Sequence, residues 1–240
     1  MLSSTRTWVW IFLSSILIVL FGIPLIVFRV FGRKASWFFA VTWAHSVLFF
    51  LRIICGLSFE VRGKENLPAE PGIALIKHSS AFETLAQLVI LPQQCWVLKK
   101  SLIWSPFFGW ALMALGAIPI DRKTGRNAVG KVLAAGKERL ADGMWVSIFP
   151  EGTRVAPGQT KRWGISGILL AKEAGKAITP IAHNAGYYWP RDGWTISPGT
   201  VIIAIGEPVR VDDEDPREFA AKLQNWMENE VQKIAPDRVS

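Results

Sequence analysis

Cysteine is scarce in this chain, with only Cys55 and Cys95 among 240 residues. No disulfide framework can hold it, and Cys55 lies in an apolar segment where a free thiol packs as a small hydrophobe. The working domain is therefore compatible with a reducing cytoplasm. Histidines number three, His45, His78 and His183, and none has a ligand-like neighbour at metal-site spacing, so no metal is expected. Zinc-finger spacing, an RNA-binding aromatic signature and long basic runs are all missing, which argues against nucleic acid as a partner. The formal charge of +8 then points to an acidic membrane surface or phosphorylated substrates. No repeat or low-complexity tract is found, and the length leaves no room for a second enzyme domain beside one catalytic domain and a short appendage.

Charge is missing altogether from Trp8 to Phe28. As a helix rising ~1.5 Å per residue, that stretch spans roughly the 30 Å hydrocarbon layer. A cleaved signal peptide is the competing reading, but the stretch is long for one and Phe28-Arg29-Val30 offers no small-residue cleavage site. Pro24 is tolerated within a retained helix, with a kink as its expected effect. A second apolar stretch, Trp37 to Leu51, stops at Arg52 and is short for a span, which suits a re-entrant or interfacial helix. Arg29, Arg33 and Lys34 outweigh Arg6, placing the connecting loop in the cytoplasm. A full second span would then export the rest of the chain, and a helix lying within one leaflet removes that conflict. Residues 1–57 are expected to form this anchor and residues 58–240 the catalytic domain.

After Leu57 strands and helices alternate. Apolar strands are expected at Ile73 to Ile76, Cys95 to Leu98 and Met144 to Phe149, with later ones at Ala177 to Ala182 and Val201 to Ile205. Val129, Val132, Leu133 and Leu140 recur at helical spacing before Gly143, and another helix runs from Gly164 to near Gly175. A last helix opens with Asp215 as N-cap, Pro216 at its first position and Glu218 to complete a capping box. Its Phe219, Leu223 and Trp226 form a core-facing stripe. The expected class is α/β, a mixed central sheet flanked by helices and preceded by a two-helix membrane motif.

Three strand ends carry polar chemistry, where an α/β fold places its active site. In Lys77-His78-Ser79-Ser80-Ala81-Phe82-Glu83, His78 can act as a base at neutral pH, with Glu83 on its far nitrogen to fix the tautomer and stabilise the imidazolium. An equally available reading makes Ser80 to Glu83 a capping box, in which the carboxylate holds backbone N–H groups and never touches His78. The other two ends are Gly116-Ala117-Ile118-Pro119-Ile120-Asp121-Arg122 and Phe149-Pro150-Glu151-Gly152-Thr153-Arg154. Both finish in arginine, whose planar fork matches phosphate, and Gly152 lets backbone approach a ligand closely. Either arginine alone reads equally as a solvated charge.

Together these blocks resemble the glycerolipid acyltransferase family, typified by 1-acylglycerol-3-phosphate acyltransferases, over roughly residues 57 to 210. The family's first block is histidine, four residues, then aspartate; His78 and Glu83 are its glutamate variant. Gly116 to Arg122 is similar to the second block, with Pro119 at a position more often aromatic or apolar. Phe149 to Arg154 matches the third, and Ile178-Thr179-Pro180-Ile181 resembles the fourth, with Thr179 in place of the commoner valine. Lys99-Lys100 and Pro106-Phe107-Phe108-Gly109-Trp110 resemble the stretch between blocks one and two.

The resemblance implies that His78 deprotonates an acceptor hydroxyl and that Glu83 orients it. Arg122, Glu151, Gly152 and Arg154, with Thr153 in the same turn, would hold the acceptor's phosphate or glycerol, and Lys99 or Lys100 would add a phosphate contact. It further implies lysophosphatidic acid as acceptor, acyl-CoA or acyl-carrier protein as co-substrate, and a catalytic domain on the cytoplasmic face of an inner membrane. No cofactor is implied, and a thioester already activated for direct attack requires no serine or cysteine nucleophile. A relative with another lysophospholipid or lyso-aminolipid as acceptor fits the same blocks. A non-catalytic anionic-lipid binder would leave His78 beside Glu83 unexplained, and a metal-dependent lipid hydrolase would need ligands the sequence does not offer.

Overall fold

The computed structural model describes residues 2–193 and 195–236, without the side chains of Leu2 and Arg122. Helix α1 (Leu2–Val27) contains Pro24 and gives way to a single 3-10 turn, Phe28–Phe31. Helix α2 (Arg33–Phe50) continues into a π turn, Leu51–Cys55, and stops at Gly56 in the left-handed conformation, φ +70°. The second helix is thus longer than its apolar stretch. Arg33 and Lys34 join its first turn and Arg52 its last, because the effective stop is Gly56 and not the charge. Ser3–Phe31 and Arg33–Cys55 are both long and apolar enough to cross a membrane by length and composition.

The strands β1 (Leu57–Arg62), β2 (Ile73–Ile76), β3 (Gln94–Lys99), β4 (Ile118–Ile120), β5 (Trp145–Ile148), β6 (Ile178–His183) and β7 (Gly199–Ile205) form one sheet ordered β1-β7-β6-β2-β5-β3-β4. Every neighbouring pair is parallel except β6 and β7, so the sheet is mixed, as expected. Strand β1, at the sheet edge, is not among the expected strands although its apolar and polar residues alternate from Leu57 to Arg62. The remaining helices are α3 (Phe82–Ile90), α4 (Phe108–Ala114), α5 (Arg126–Ala141), α6 (Ser166–Ala174), α7 (Ala185–Tyr188) and α8 (Pro216–Lys233). Helix α8 begins with the expected N-cap and first-turn proline, the Asp215 carboxylate accepting from the Arg217 and Glu218 N–H groups.

Alternation along the strands divides the core into two layers. Ile73, Leu75, Val146 and Ile148 face Val132, Leu140, Ile168 and Phe219 on one side. On the other side Ala74, Ile76 and Trp145 meet Phe82 and Leu85, together with Trp10, Leu17, Leu51 and Cys55 of the N-terminal helices. Residues before and after position 57 therefore share one hydrophobic cluster. Polar contacts add to this: Thr7 Oγ1 accepts from the Ile196 N–H at 3.0 Å, and Trp10 Nε1 donates to the Val47 carbonyl at 3.2 Å.

Candidate active site

Strand β2 ends with Ile76 buried, and the next residue, Lys77, is buried as well. A lone ammonium there would be costly, so it needs anionic partners. It has two: Glu151 after β5 at 3.1 Å and Glu228 of α8 at 2.9 Å. Burial pushes the Glu151 carboxyl above the usual carboxylate range, with the Lys77 charge opposing it. The same Glu151 oxygen lies 3.5 Å from the His78 backbone nitrogen. This ion group ties three elements together directly behind His78.

The His78 ring is partly exposed and stacks on Phe149, ring centres 4.2 Å apart. Its Nδ1 lies 2.8 Å from Glu83 Oε1, and that oxygen also accepts from the backbone N–H groups of Ser79 at 3.1 Å and Ser80 at 3.0 Å. The carboxylate therefore holds the turn before α3, as the capping reading expects, but it also contacts the imidazole, which that reading excludes. Burial alone would raise the Glu83 carboxyl, but nearby His183, the His78 hydrogen bond and the Ser80 N–H hold it below the usual range. An ionised Glu83 is acceptor-only, so Nδ1 of His78 carries its proton and Nε2 is left free to act as a base.

His183, considered from sequence only as a metal ligand, ends β6 beside β2. Its Nδ1 accepts from the Ala185 N–H at 3.2 Å and its Nε2 donates to the Lys77 carbonyl at 2.7 Å. Those two contacts fix a neutral ring, and burial depresses its pKa accordingly, with Glu83 pulling the other way. Glu83 Oε2 lies 3.7 Å from Nε2. Sequence reasoning assigned no role to Lys77, His183 or Glu228. A charged residue directly after an all-apolar strand was the available signal for the first.

His78 opens onto an apolar cavity of about 300 Å³, walled by Phe21 and Leu25 of α1, Trp43 of α2, Leu88 of α3, Trp96 of β3 and Leu112 of α4. Lys99 and Arg154 also line it. Neither they nor Lys100 form an ion pair among the described residues. The Arg154 turn is held against the first block by the Val155 N–H donating to the His78 carbonyl at 2.8 Å. Gly152 adopts φ +70° in the same turn, with Thr153 half-buried beside it. Glu151 does not line the cavity, being committed to Lys77. Arg122 follows β4, three strand positions from β2, or roughly 14 Å at ~4.8 Å per strand, and its side chain lies outside the described atoms. Of the two positions that depart from the family's blocks, neither Pro119 nor Thr179 lines the cavity, and Thr179 is fully buried within β6.

Cys95 is fully buried, and burial pushes its thiol up to about 12, as suits a thiol packed as a small hydrophobe. Among the described residues, no group of three or more histidine, cysteine or acidic side chains is placed to hold a metal ion.

The acyltransferase family model matches residues 58–184, the segment that carries the His78 block, the β5 turn and His183. The chain belongs to the acyltransferase family. It is 38% identical over 239 residues to a 1-acyl-sn-glycerol-3-phosphate acyltransferase of Pseudomonas aeruginosa, covering 98% of this chain and 90% of that one. With the human 1-acyl-sn-glycerol-3-phosphate acyltransferase alpha it shares 30% identity over 58% of this chain and 50% of the relative. The crystal structure of the 1-acyl-sn-glycerophosphate acyltransferase PlsC of Thermotoga maritima superposes with a TM-score of 0.80 at 21% identity, covering 97% of this chain and 95% of that one. That acyltransferase fold includes the two N-terminal apolar helices.

Proposed function

We propose that this acyltransferase moves a fatty acyl group from acyl-CoA or acyl-carrier protein to the sn-2 hydroxyl of lysophosphatidic acid, at the cytoplasmic face of an inner membrane. The observation that carries the reading is the His78–Glu83 pair opening onto an apolar cavity walled partly by the N-terminal helices. The names of its relatives supply the acceptor.

In this mechanism His78 Nε2 removes the proton of the acceptor hydroxyl as its oxygen attacks the thioester carbonyl carbon. The imidazolium so formed is stabilised by the buried Glu83 carboxylate. The C–S bond then breaks, and the departing thiolate takes the proton from His78, returning the base to its starting state. A thioester is activated already, so no covalent enzyme intermediate is needed. Arg154 and Lys99 are proposed to meet an acceptor phosphate, supported by their lining the cavity without an ion pair among the described residues. Glu151 acts through the His78 loop, and Arg122 is proposed as a further acceptor contact at the end of β4.

The test is an assay of membranes carrying the protein, with lysophosphatidic acid and either acyl donor, against other lyso-acceptors under identical conditions. Phosphatidic acid should form fastest. Failure to form it with either donor overturns the reading, and preferential transfer to a lyso-aminolipid moves the proposal to that acceptor.

A further inference from the structure

Large apolar side chains that stay exposed are expected on the N-terminal helices if these meet lipid. Beyond Ile53, the exposed large apolar side chains of the described chain are Leu102, Trp104, Phe107, Trp110 and Met113, with Trp104 76% and Trp110 53% exposed. All lie within one short segment, the 3-10 turn Lys100–Trp104 and helix α4 with the residues joining them. We propose that the segment from Lys99 to Met113 is a second membrane-contacting surface, seated in the headgroup layer of an anionic phospholipid bilayer. The inference rests on reading α1 and α2 as membrane-associated.

Three observations select a bilayer as the occupant. The patch is continuous with the helix pair: Arg29, in the turn joining α1 to α2, donates from Nε to the Ala114 carbonyl at the end of α4, 3.0 Å away. Phe28, Val30 and Phe31 in that turn are themselves exposed. The charge is one-sided, since no acidic residue occurs from Thr84 to Ile120 while Lys99 and Lys100 stand exposed within it. Tryptophan beside lysine, with apolar neighbours, is the composition that partitions into an anionic headgroup layer. The third observation is functional: Lys99, Leu102, Phe108, Ala111 and Leu112 line the cavity from the other side of this segment. A lipid substrate then has a path from bilayer to His78 that does not cross water.

Phe107 takes φ +59°, the one non-glycine residue at positive φ among the described residues. Gly109 packs so closely that a Cβ there would lie 2.4 Å from the Ile103 carbonyl oxygen. Trp104 and Trp110 lie exposed on either side of this tight turn.

The experiment places a nitroxide at single cysteines substituted for Trp104, Trp110 or Met113 in the full chain, reconstituted in vesicles of phosphatidylethanolamine and phosphatidylglycerol. Collision with oxygen and with a water-soluble nickel chelate is then compared. Cys55 and Cys95 are buried and leave the label selective. Phe31→Cys reports the helix pair, and Lys222→Cys, on α8 across the sheet, reports water. A several-fold higher oxygen-to-nickel ratio at 104, 110 and 113 than at 222 is expected. Water-like values there overturn the proposal, whether or not position 31 lies in lipid. Shielding from both reagents, the signature of a second copy or protein partner, overturns it equally. Activity is not the readout, so failure here leaves the acyl-transfer reading standing.

Discussion

Replacing Glu83 by glutamine separates holding a turn from powering a base, because the amide keeps the shape and removes the charge. In the native chain Glu83 Oε1 receives three donors, His78 Nδ1 at 2.8 Å and the Ser79 and Ser80 N–H groups at 3.1 and 3.0 Å. The side-chain carbonyl of the glutamine variant can still accept from the backbone pair, so the turn survives. What is lost is attraction to the imidazolium. Taking the charge centres as about 4 Å apart and an effective dielectric constant of about 20, that attraction is about 4 kcal/mol. At about 1.4 kcal/mol per decade, turnover should fall roughly 10³-fold, within the range of about 10²- to 10⁴-fold expected for a carboxylate orienting a catalytic histidine. The second carboxylate oxygen has no hydrogen bond among the described residues and faces His183 Nε2 at 3.7 Å. An amide N–H there meets another N–H, a misfit expected to cost ~1 kcal/mol, or about 2 to 4 °C in Tm. Ser80→Ala should do the reverse: it removes the Ser80 Oγ bond to the Phe82 N–H at 3.2 Å, lowering stability by about 1 kcal/mol while sparing kcat. Steady-state kinetics with thermal melts in the same detergent decide the matter. Near-normal kcat in Glu83→Gln would refute the charge argument, and near-normal kcat in His78→Ala would refute the mechanism.

Three further perturbations probe the surroundings. Arg154→Ala should raise the apparent KM for lysophosphatidic acid about tenfold or more with little change for acyl-CoA, as loss of a charge-assisted contact requires, and Arg154→Lys should restore part of it; an unchanged acceptor KM would remove Arg154 from the phosphate site. Lys77→Met leaves Glu151 and Glu228 facing each other without their cation and should cost about 3 to 5 kcal/mol in urea melts, less at acid pH where Glu151 takes up a proton, whereas Arg62→Met in an exposed pair should be silent. His183 is buried neutral with its pKa below the ordinary 6.5, so its contribution is present above that pH and is lost as pH falls through the folded value. Tm should therefore decline below pH 6.5, and His183→Gln, which can still donate to the Lys77 carbonyl, should flatten that decline.

The sequence made His78, Glu83 and the β5 turn legible because each sits within a few residues of a strand end, where local pattern and chemistry coincide. Whether Glu83 caps the turn or meets His78 is open in the sequence, since both use the same spacing; in the structure one oxygen contacts the Ser79 and Ser80 N–H groups and His78 Nδ1. Lys77, His183 and Glu228 were hidden for another reason. They meet across 151 and 106 residues of chain, and nothing local to Glu228 on an otherwise polar helix face marks it as the partner of a buried lysine. The cavity wall was equally hidden. An uncharged helix reads as lipid-facing on all sides, yet Phe21 and Leu25 turn inward to the site, a choice made by docking and not by composition.

The pairing of β1 with β7 has a consequence for how the protein is made. Leu57 leaves the helix pair directly into an edge strand, but its partner Gly199 lies more than 140 residues later. At about 5 to 20 residues per second, synthesis of that interval takes about 7 to 28 s. Through that time β1 has no partner strand, while the two helices before it are already complete and are long and apolar enough to cross a membrane. A chain whose helices are committed to a bilayer first would wait tethered, with β1 held near a surface and away from other unfinished chains. Removing residues 1–57 would therefore change where folding happens as well as what the folded enzyme can reach.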